Sequence, residues 1–334
     1  MKWRELAGTA FVFLFVALWS AITGGFDVMF MSNAGRQVVA TSYPHVPGQI
    51  THSHIESSSD CGGNPTYGVD LEYTYEVDGV THTGWQYRYG DTKATDNHAA
   101  TVVSKLPAGT IVEVFYNPRD PADAVLLTGI QGSDLFLLMF STPFNAVMIG
   151  GWYALVALLL QRDRPTGGVP LEQRGSRTHL RMSRFGPLTS AIVTAAGLSF
   201  VLMFVIGFWK GFHPPLSLMG GVWAIILSGS AIAHRSTRRS IALGTNDVII
   251  DDEARTITLP PLGNRKTAIT YPLTDVASIS VDTTAKTYSD GTTWKYTPVI
   301  TFRNDDGEQH EPLLNWLAEP EARALAAWLT QRLT

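Results

Sequence analysis

His52 and His54 stand two residues apart in the stretch QITHSHIES, a spacing that places both imidazoles on one face of a strand. With His82 in VTHTG they are the candidates for a zinc or copper site, and a fold could bring His98 and Cys61 near them. Such a site needs three or four ligands converging at about 2.0–2.3 Å from the ion. Exposed loop histidines explain the same residues without convergence, and this is the reading preferred, so no metal and no other cofactor is expected. Cys61, the single cysteine, has no partner for an internal disulfide. It reads as an incidental thiol in the turn-rich loop SSSDCGGNP, the alternative being a bridge to another chain. The sequence contains no G-x-S-x-G, H-E-x-x-H, Walker lysine loop, G-x-G-x-x-G or C-x-x-C. No catalytic residue is therefore assigned, and the chain is not expected to be an enzyme.

A second cluster is cationic. Arg162, Arg164, Arg174, Arg177, Arg181 and Arg184 crowd residues 161–186. Beside a membrane each could hold an anionic lipid headgroup at about 1 kcal/mol, and Arg174, Arg177, Arg181 and Arg184 are the candidates for that contact. Topology alone demands the same arginines. Nucleic acid is not an expected partner, because the run lacks aromatic side chains on which bases could stack.

The elements that carry these residues are set by four apolar windows, Gly8–Phe26, Leu135–Leu160, Pro187–Trp209 and Pro214–Ala233, none containing Lys, Arg, Asp or Glu. Each is long enough to cross a hydrocarbon core of about 30 Å as helix. The implied layout is a first transmembrane helix over 8–31, a β domain over 32–132, helices over 135–160, 187–209 and 214–234, and a C-terminal domain over 245–334. Lys2 and Arg4, the arginines of 161–186, and Arg235, Arg238 and Arg239 then share the cytoplasmic side. Both termini fall inside, and residues 32–132 and the KGFHPP link at Lys210–Pro215 fall outside. A cleaved signal peptide is the lesser alternative for the first helix, since SAITGG lacks a clean A-x-A site. Asp27, Lys210 and His234 lie at helix ends on this layout, which argues against a pump or proton-coupled carrier. Small residues recur four apart, at Ala191, Ala195 and Ser199 and at Gly220, Ala224 and Ser228; packing within the helix pair is preferred over a homo-oligomer seam. Pro143 predicts a kink in the second helix.

The outer domain reads as antiparallel β structure. VDLEYTYEVDGVTHTG alternates, with Leu71, Tyr73, Tyr75 and Val77 on one face, and turns at Asp78-Gly79. Residues 91–104 hold a short helix or loop. In LPAGTIVEVFYNPRDPADAVL, Gly109 shapes a turn and Val112, Val114 and Tyr116 share a face. Asn117-Pro118 stops that strand, and Pro121 keeps the exit extended. Gln37–Ala40 and His52–Ser57 are candidate edge strands. The sum is a small all-β sandwich or barrel.

The pair of motifs resembles the bacterial membrane-protein family catalogued as domain of unknown function 3592. That family carries an aromatic hairpin with V-x-G, then G-x-x-V-x-V-x-Y-N-P-x-x-P, then a helix. The matching residues are Tyr73, Tyr75, Val77, Gly79, Gly84, Gly109, Val112, Val114, Tyr116, Asn117, Pro118 and Pro121, within roughly residues 30–160. His82 stands where the family commonly has an aromatic. The resemblance implies structural roles for these positions and no activity.

The C-terminal region offers NDVIIDDEARTITLPP as two strands, TAITYPLTDVASISVDT as a third and fourth, KYTPVITFRNDDGEQHEPLL as a hairpin, and EPEARALAAWLTQRL as an amphipathic helix. This order resembles the bacterial pleckstrin-homology-like (PH-like) domains, a β-barrel closed by a C-terminal helix. The loops have no dense cationic cluster beyond Asn264-Arg265-Lys266, so phosphoinositide binding is not inferred. The expectation is a multi-pass protein of the bacterial cytoplasmic membrane, in contact with lipid and with a protein partner. It would act as an adaptor, scaffold or signal relay; the alternative is an accessory subunit of an envelope enzyme or transporter whose site is completed by partners.

Overall fold

The computed structural model describes the whole chain except residues 1, 59–64, 92, 95–96, 161–165, 167, 183–184, 264, 289–290, 305–306, 315–316 and 334. Four helices are long and apolar enough to cross a membrane: α1 (Lys2–Ala40), α3 (Gly132–Leu160), α4 (Pro187–Lys210) and α5 (Leu216–Leu243). A short α2 spans His98–Lys105, and α6 spans Glu319–Leu333. The chain divides into two compact units, one made of 1–153 and 192–230, the other of 154–191 and 231–334.

The first unit contains β1 (His45–Ser58), β2 (Thr66–Val77), β3 (Val80–Gly84), β4 (Ile111–Asn117) and β5 (Asp120–Val125) in one antiparallel sheet ordered β3-β2-β1-β4-β5. Val77 pairs with Val80 across a two-residue turn. Asp78 and Gly79 both take positive φ there, 54° and 81°, which a twist-matched tight hairpin requires. As the alternation predicts, Leu71, Tyr73, Tyr75 and Val77 are buried. With Ile50, Val102, Val114 and Ala124 they form the module's core. The sheet is curled, and its two ends are drawn together: Leu126 and Leu127 N–H both donate to Tyr87 O, at 3.1 and 2.9 Å.

Two expectations for this unit are corrected. Gln37–Ala40 is the last turn of α1, not an edge strand, because the helix continues through Asn33 and Gly35 and its end is held by the module. The first helix therefore runs well past residue 31, and Asp27 lies in its interior, donating nothing and accepting a 3.2 Å hydrogen bond from Asn145 Nδ2 of α3. His52–Ser57 is strand as expected: it lies in β1 and pairs there with β2 alone, since the β1–β4 pairing covers only residues 45–49. Pro121 does sit in a strand, β5, where the sheet edge tolerates its missing N–H.

Below the module, Phe136 and Met139 of α3, Met203 and Ile206 of α4, and Met219, Val222 and Ile226 of α5 pack together. α4 and α5 approach closely at Gly229, where a Cβ would lie 2.8 Å from Leu198 Cδ1. Ser199 is buried, whereas Gly220, Ala224 and Ser228 are exposed, so the α5 stripe does not serve the packing expected of it. Pro143 is contained within α3.

The second unit has a five-stranded sheet ordered β10-β9-β8-β7-β6 and a three-stranded sheet ordered β11-β12-β13. Its strands are β6 (Leu171–Arg174), β7 (Arg177–Arg181), β8 (Asp247–Asp251), β9 (Thr256–Leu259), β10 (Ile269–Pro272), β11 (Val276–Tyr288), β12 (Gly291–Asn304) and β13 (Gly307–Pro312). The arginine-rich segment expected as a loop is thus in part a hairpin, β6–β7, whose β7 pairs with β8. Thr178, His179 and Leu180 are all buried between exposed Arg177 and half-buried Arg181, so β7 lacks a clean period-two pattern and its charge obscures it further. Ala322, Leu325, Ala326 and Leu329 are the buried stripe of α6. Leu325 and Leu329 join Leu180, Ile250, Ile257 and Phe302 in one apolar core.

Candidate functional site

The histidines singled out by spacing do not converge. His52 and His54 are stacked on β1 with ring centroids 4.2 Å apart, and His52 Nε2 lies 3.4 Å from Asp70 Oδ2. Register explains why His82 cannot join them. His52 is paired with Glu72, on the outward face, whereas His82 is paired with Tyr75, whose ring points into the core. His82 stacks on that ring at 5.6 Å. Cys61 and Arg184 lie outside the described residues.

A different trio does converge. Asp91, His98 and His213 each present one ligand atom, and the three atoms lie within 4.8 Å of one another, all on half-buried side chains. It is the only such group of three or more among the described residues. His98 Nε2 is 4.0 Å from Asp91 Oδ1, and the His98 and His213 rings are stacked at 3.8 Å with planes 6° apart. Three separate devices position them. Reciprocal hydrogen bonds between Tyr67 and Ala94 pin the segment after β3 to the start of β2. Buried Ala99 and Val102 seat α2, whose first residue is His98. The α4–α5 link that carries His213 is pressed against the start of α3: a Cβ on Gly132 would come within 1.9 Å of Pro214 O, so only glycine fits. Phe212 packs edge-on against Phe136 at 5.6 Å. Burial first, and the Asp91 charge second, push the nearby Tyr87 hydroxyl above the usual tyrosine range.

Beside this trio the module is bound to the helices through buried polar groups. Arg88 donates to both carboxylate oxygens of Asp134 at 2.6 Å and to Ser133 Oγ at 2.6 Å, with the side chains 3% and 9% exposed. Asp134 also accepts from Gln131 N at 2.8 Å, so the first turn of α3 organises the carboxylate that receives the guanidinium. Gln37 of α1, fully buried, accepts from Tyr89 N at 3.2 Å and donates to Gly129 O at 3.1 Å. Arg36 pairs with Asp123 at 2.8 Å and lies 4.0 Å over the Tyr89 ring. A polar cleft of about 290 Å³ opens between Arg36, Trp85, Arg88, Asp91 and Lys93.

The motif residues have legible structural roles. The Tyr73 hydroxyl lies 3.0 Å from Gln86 O and 2.9 Å from Ala124 O, and Tyr75 donates to Pro121 O at 2.5 Å, so β2 is fastened across the curl to β5. Burial holds the Tyr73 hydroxyl far above the ordinary tyrosine range, which keeps it a donor. A Cβ on Gly84 would meet the Tyr73 ring at 2.4 Å. Gly109 takes φ +90°. Asn117 Oδ1 accepts from Arg119 N, closing the tight turn at Pro118. Tyr116 N–H donates to Pro44 O.

Of the arginines proposed for lipid, Arg174 and Arg181 both engage Glu172, at 2.9 and 3.0 Å, and Arg177 engages Asp251 at 2.7 Å. The Arg174 hydrogen bond first of all holds the Glu172 carboxyl below its usual range.

Sequence reasoning passed over Asp91, His213, Arg88 and Asp134. One signal was present: the layout expected from the arginine distribution would put His98 and His213 on the same side of a membrane, and so within reach of one another.

The fold is that of a multi-pass membrane protein carrying a curled five-stranded module. Residues 46–131, which span β1 to β5 and end just before α3, match the family described as Domain of unknown function (DUF3592). No curated protein and no solved structure matches the chain.

Proposed function

We propose that this chain is a non-enzymatic protein of the bacterial cytoplasmic membrane, an adaptor or signal relay that couples an extracytoplasmic β module to a cytoplasmic PH-like unit. The observation that carries the reading is the buried interlock of Arg88 with Asp134 and Ser133, with Gln37 beside it. A load applied to the module is delivered to α1 and α3 rather than absorbed in a flexible tether. Two sheets closed by α6 support the PH-like reading of the second unit. The arginines of β6–β7, with those after α5, support its cytoplasmic side and an anionic-lipid contact. The alternative, an accessory subunit of an envelope enzyme or transporter, draws support from the Asp27–Asn145 pair inside the helices.

In-cell crosslinking of the tagged chain followed by mass spectrometry tests the relay. A stoichiometric partner crosslinked to the second unit, with a crosslink pattern that changes in Arg88→Ala, is the expected result. Recovery of the chain alone, or a partner indifferent to Arg88→Ala, would sink it.

A further inference from the structure

We propose that Asp91, His98 and His213 hold one divalent transition-metal ion of the zinc class, and that the ion clips the α4–α5 link to the β module. The argument begins with donor chemistry. Two imidazoles and one carboxylate suit Zn²⁺ and its first-row neighbours, whereas Ca²⁺ and Mg²⁺ favour all-oxygen shells. Zinc sites built from two histidines and one carboxylate leave a fourth position for water or an incoming group.

Geometry comes next. In a tetrahedral site with bonds of about 2.0–2.2 Å the ligand atoms stand roughly 3.3–3.5 Å apart. The three atoms here are all within 4.8 Å, so closing on an ion requires side-chain rotations and no rearrangement of the fold. The His98 and His213 rings must splay from their parallel stack so that their lone pairs converge. The backbones beneath them are fixed by the Tyr67–Ala94 bridge, the buried face of α2 and the Gly132–Pro214 contact. The three ligands therefore come from three segments that the fold holds in register, which makes the site a tertiary one.

His52 and His54 supply the internal control. They are also stacked, but on the outward face of one strand, and although Asp70 Oδ2 lies 3.4 Å from His52 Nε2, the ligand atoms of these three do not all come within 4.8 Å of one another. If stacking alone drew metal, both pairs would bind; if the trio is the site, only one will. The assignment rests on this geometry and holds whether or not the chain is a relay.

The test uses the full chain in detergent, stripped with a chelator and then titrated with Co²⁺, whose visible d–d absorption reports coordination, and with Zn²⁺ as competitor. One Co²⁺ per chain, displaced by Zn²⁺, is expected. His213→Ala and Asp91→Asn should each weaken the affinity by about tenfold or more, and the double variant His52→Ala/His54→Ala should titrate as wild type. His213 lies on the link rather than in the core, so an unchanged gel-filtration profile of His213→Ala keeps the result interpretable even if His98→Ala does not fold. A featureless cobalt titration, or His213→Ala binding as tightly as wild type, would overturn the proposal.

Discussion

The two β units bury comparable elements by different means. In the C-terminal unit Leu180, Ile250, Ile257, Phe302, Leu325 and Leu329 meet between two sheets and α6, an apolar core whose cohesion is non-directional, and the buried polar pairs His179–Asp247 and Arg265–Glu311 join segments of the same unit. In the N-terminal module the largest buried side chains are Tyr73 and Tyr89, and their hydroxyls reach Ala124 O and Asp123, while Arg88 reaches Asp134. Apolar packing tolerates many arrangements of similar volume. Hydrogen-bonded clamps admit few, and a buried ion pair adds little net stability yet is costly to break. The difference teaches that the N-terminal module uses its buried polar groups to hold a particular geometry against its helices, whereas those of the C-terminal unit join segments within it.

Breaking the interlock should have the largest effect. Arg88→Ala strands the Asp134 carboxylate and should cost the module about 3–5 kcal/mol. Hydrogen exchange read peptide by peptide would show faster exchange in β1 to β5 with β8 to β13 unchanged; a loss spread evenly over both units would contradict the contrast. Leu325→Ala is the reciprocal experiment. It removes a fully buried side chain from the apolar core, at about 2–5 kcal/mol, and should raise exchange in α6, β11 and β12 with β1 to β5 unchanged. Tyr73→Phe sharpens the comparison at smaller scale, since it leaves Gln86 O and Ala124 O without the hydroxyl and should cost about 1–3 kcal/mol in thermal or denaturant unfolding of the module. An effect below a few tenths of a kcal/mol would mean that ring packing alone closes the sheet.

Local patterns carried much of this architecture. Four apolar runs became four helices, and Asp78-Gly79 became a two-residue hairpin, because hydropathy and turn chemistry act over a few residues. The failures share a cause. Gln37–Ala40 has the composition of a strand but continues a helix whose end is buried against Tyr89 and Val125. β6 and β7 are too short and too charged to announce themselves, and they exist because β8 supplies the pairing. The metal-ligand candidates failed for the same reason: the spacing of His52 and His54 is visible in one strand, whereas His98 and His213 are 115 positions apart and meet only through Gly132 and the link it supports.

The hydrogen bond between Asn145 and Asp27 bears on how α1 can move. A polar pair within helices that face lipid acts as a rotational lock: turning α1 by a single residue, about 100°, would swing the carboxylate away from its partner. Twisting about its own axis is thus a motion of α1 that this hydrogen bond opposes. Under the proposed relay, force entering at Arg36 and Gln37 would tilt α1 and α3 together, as a single strut.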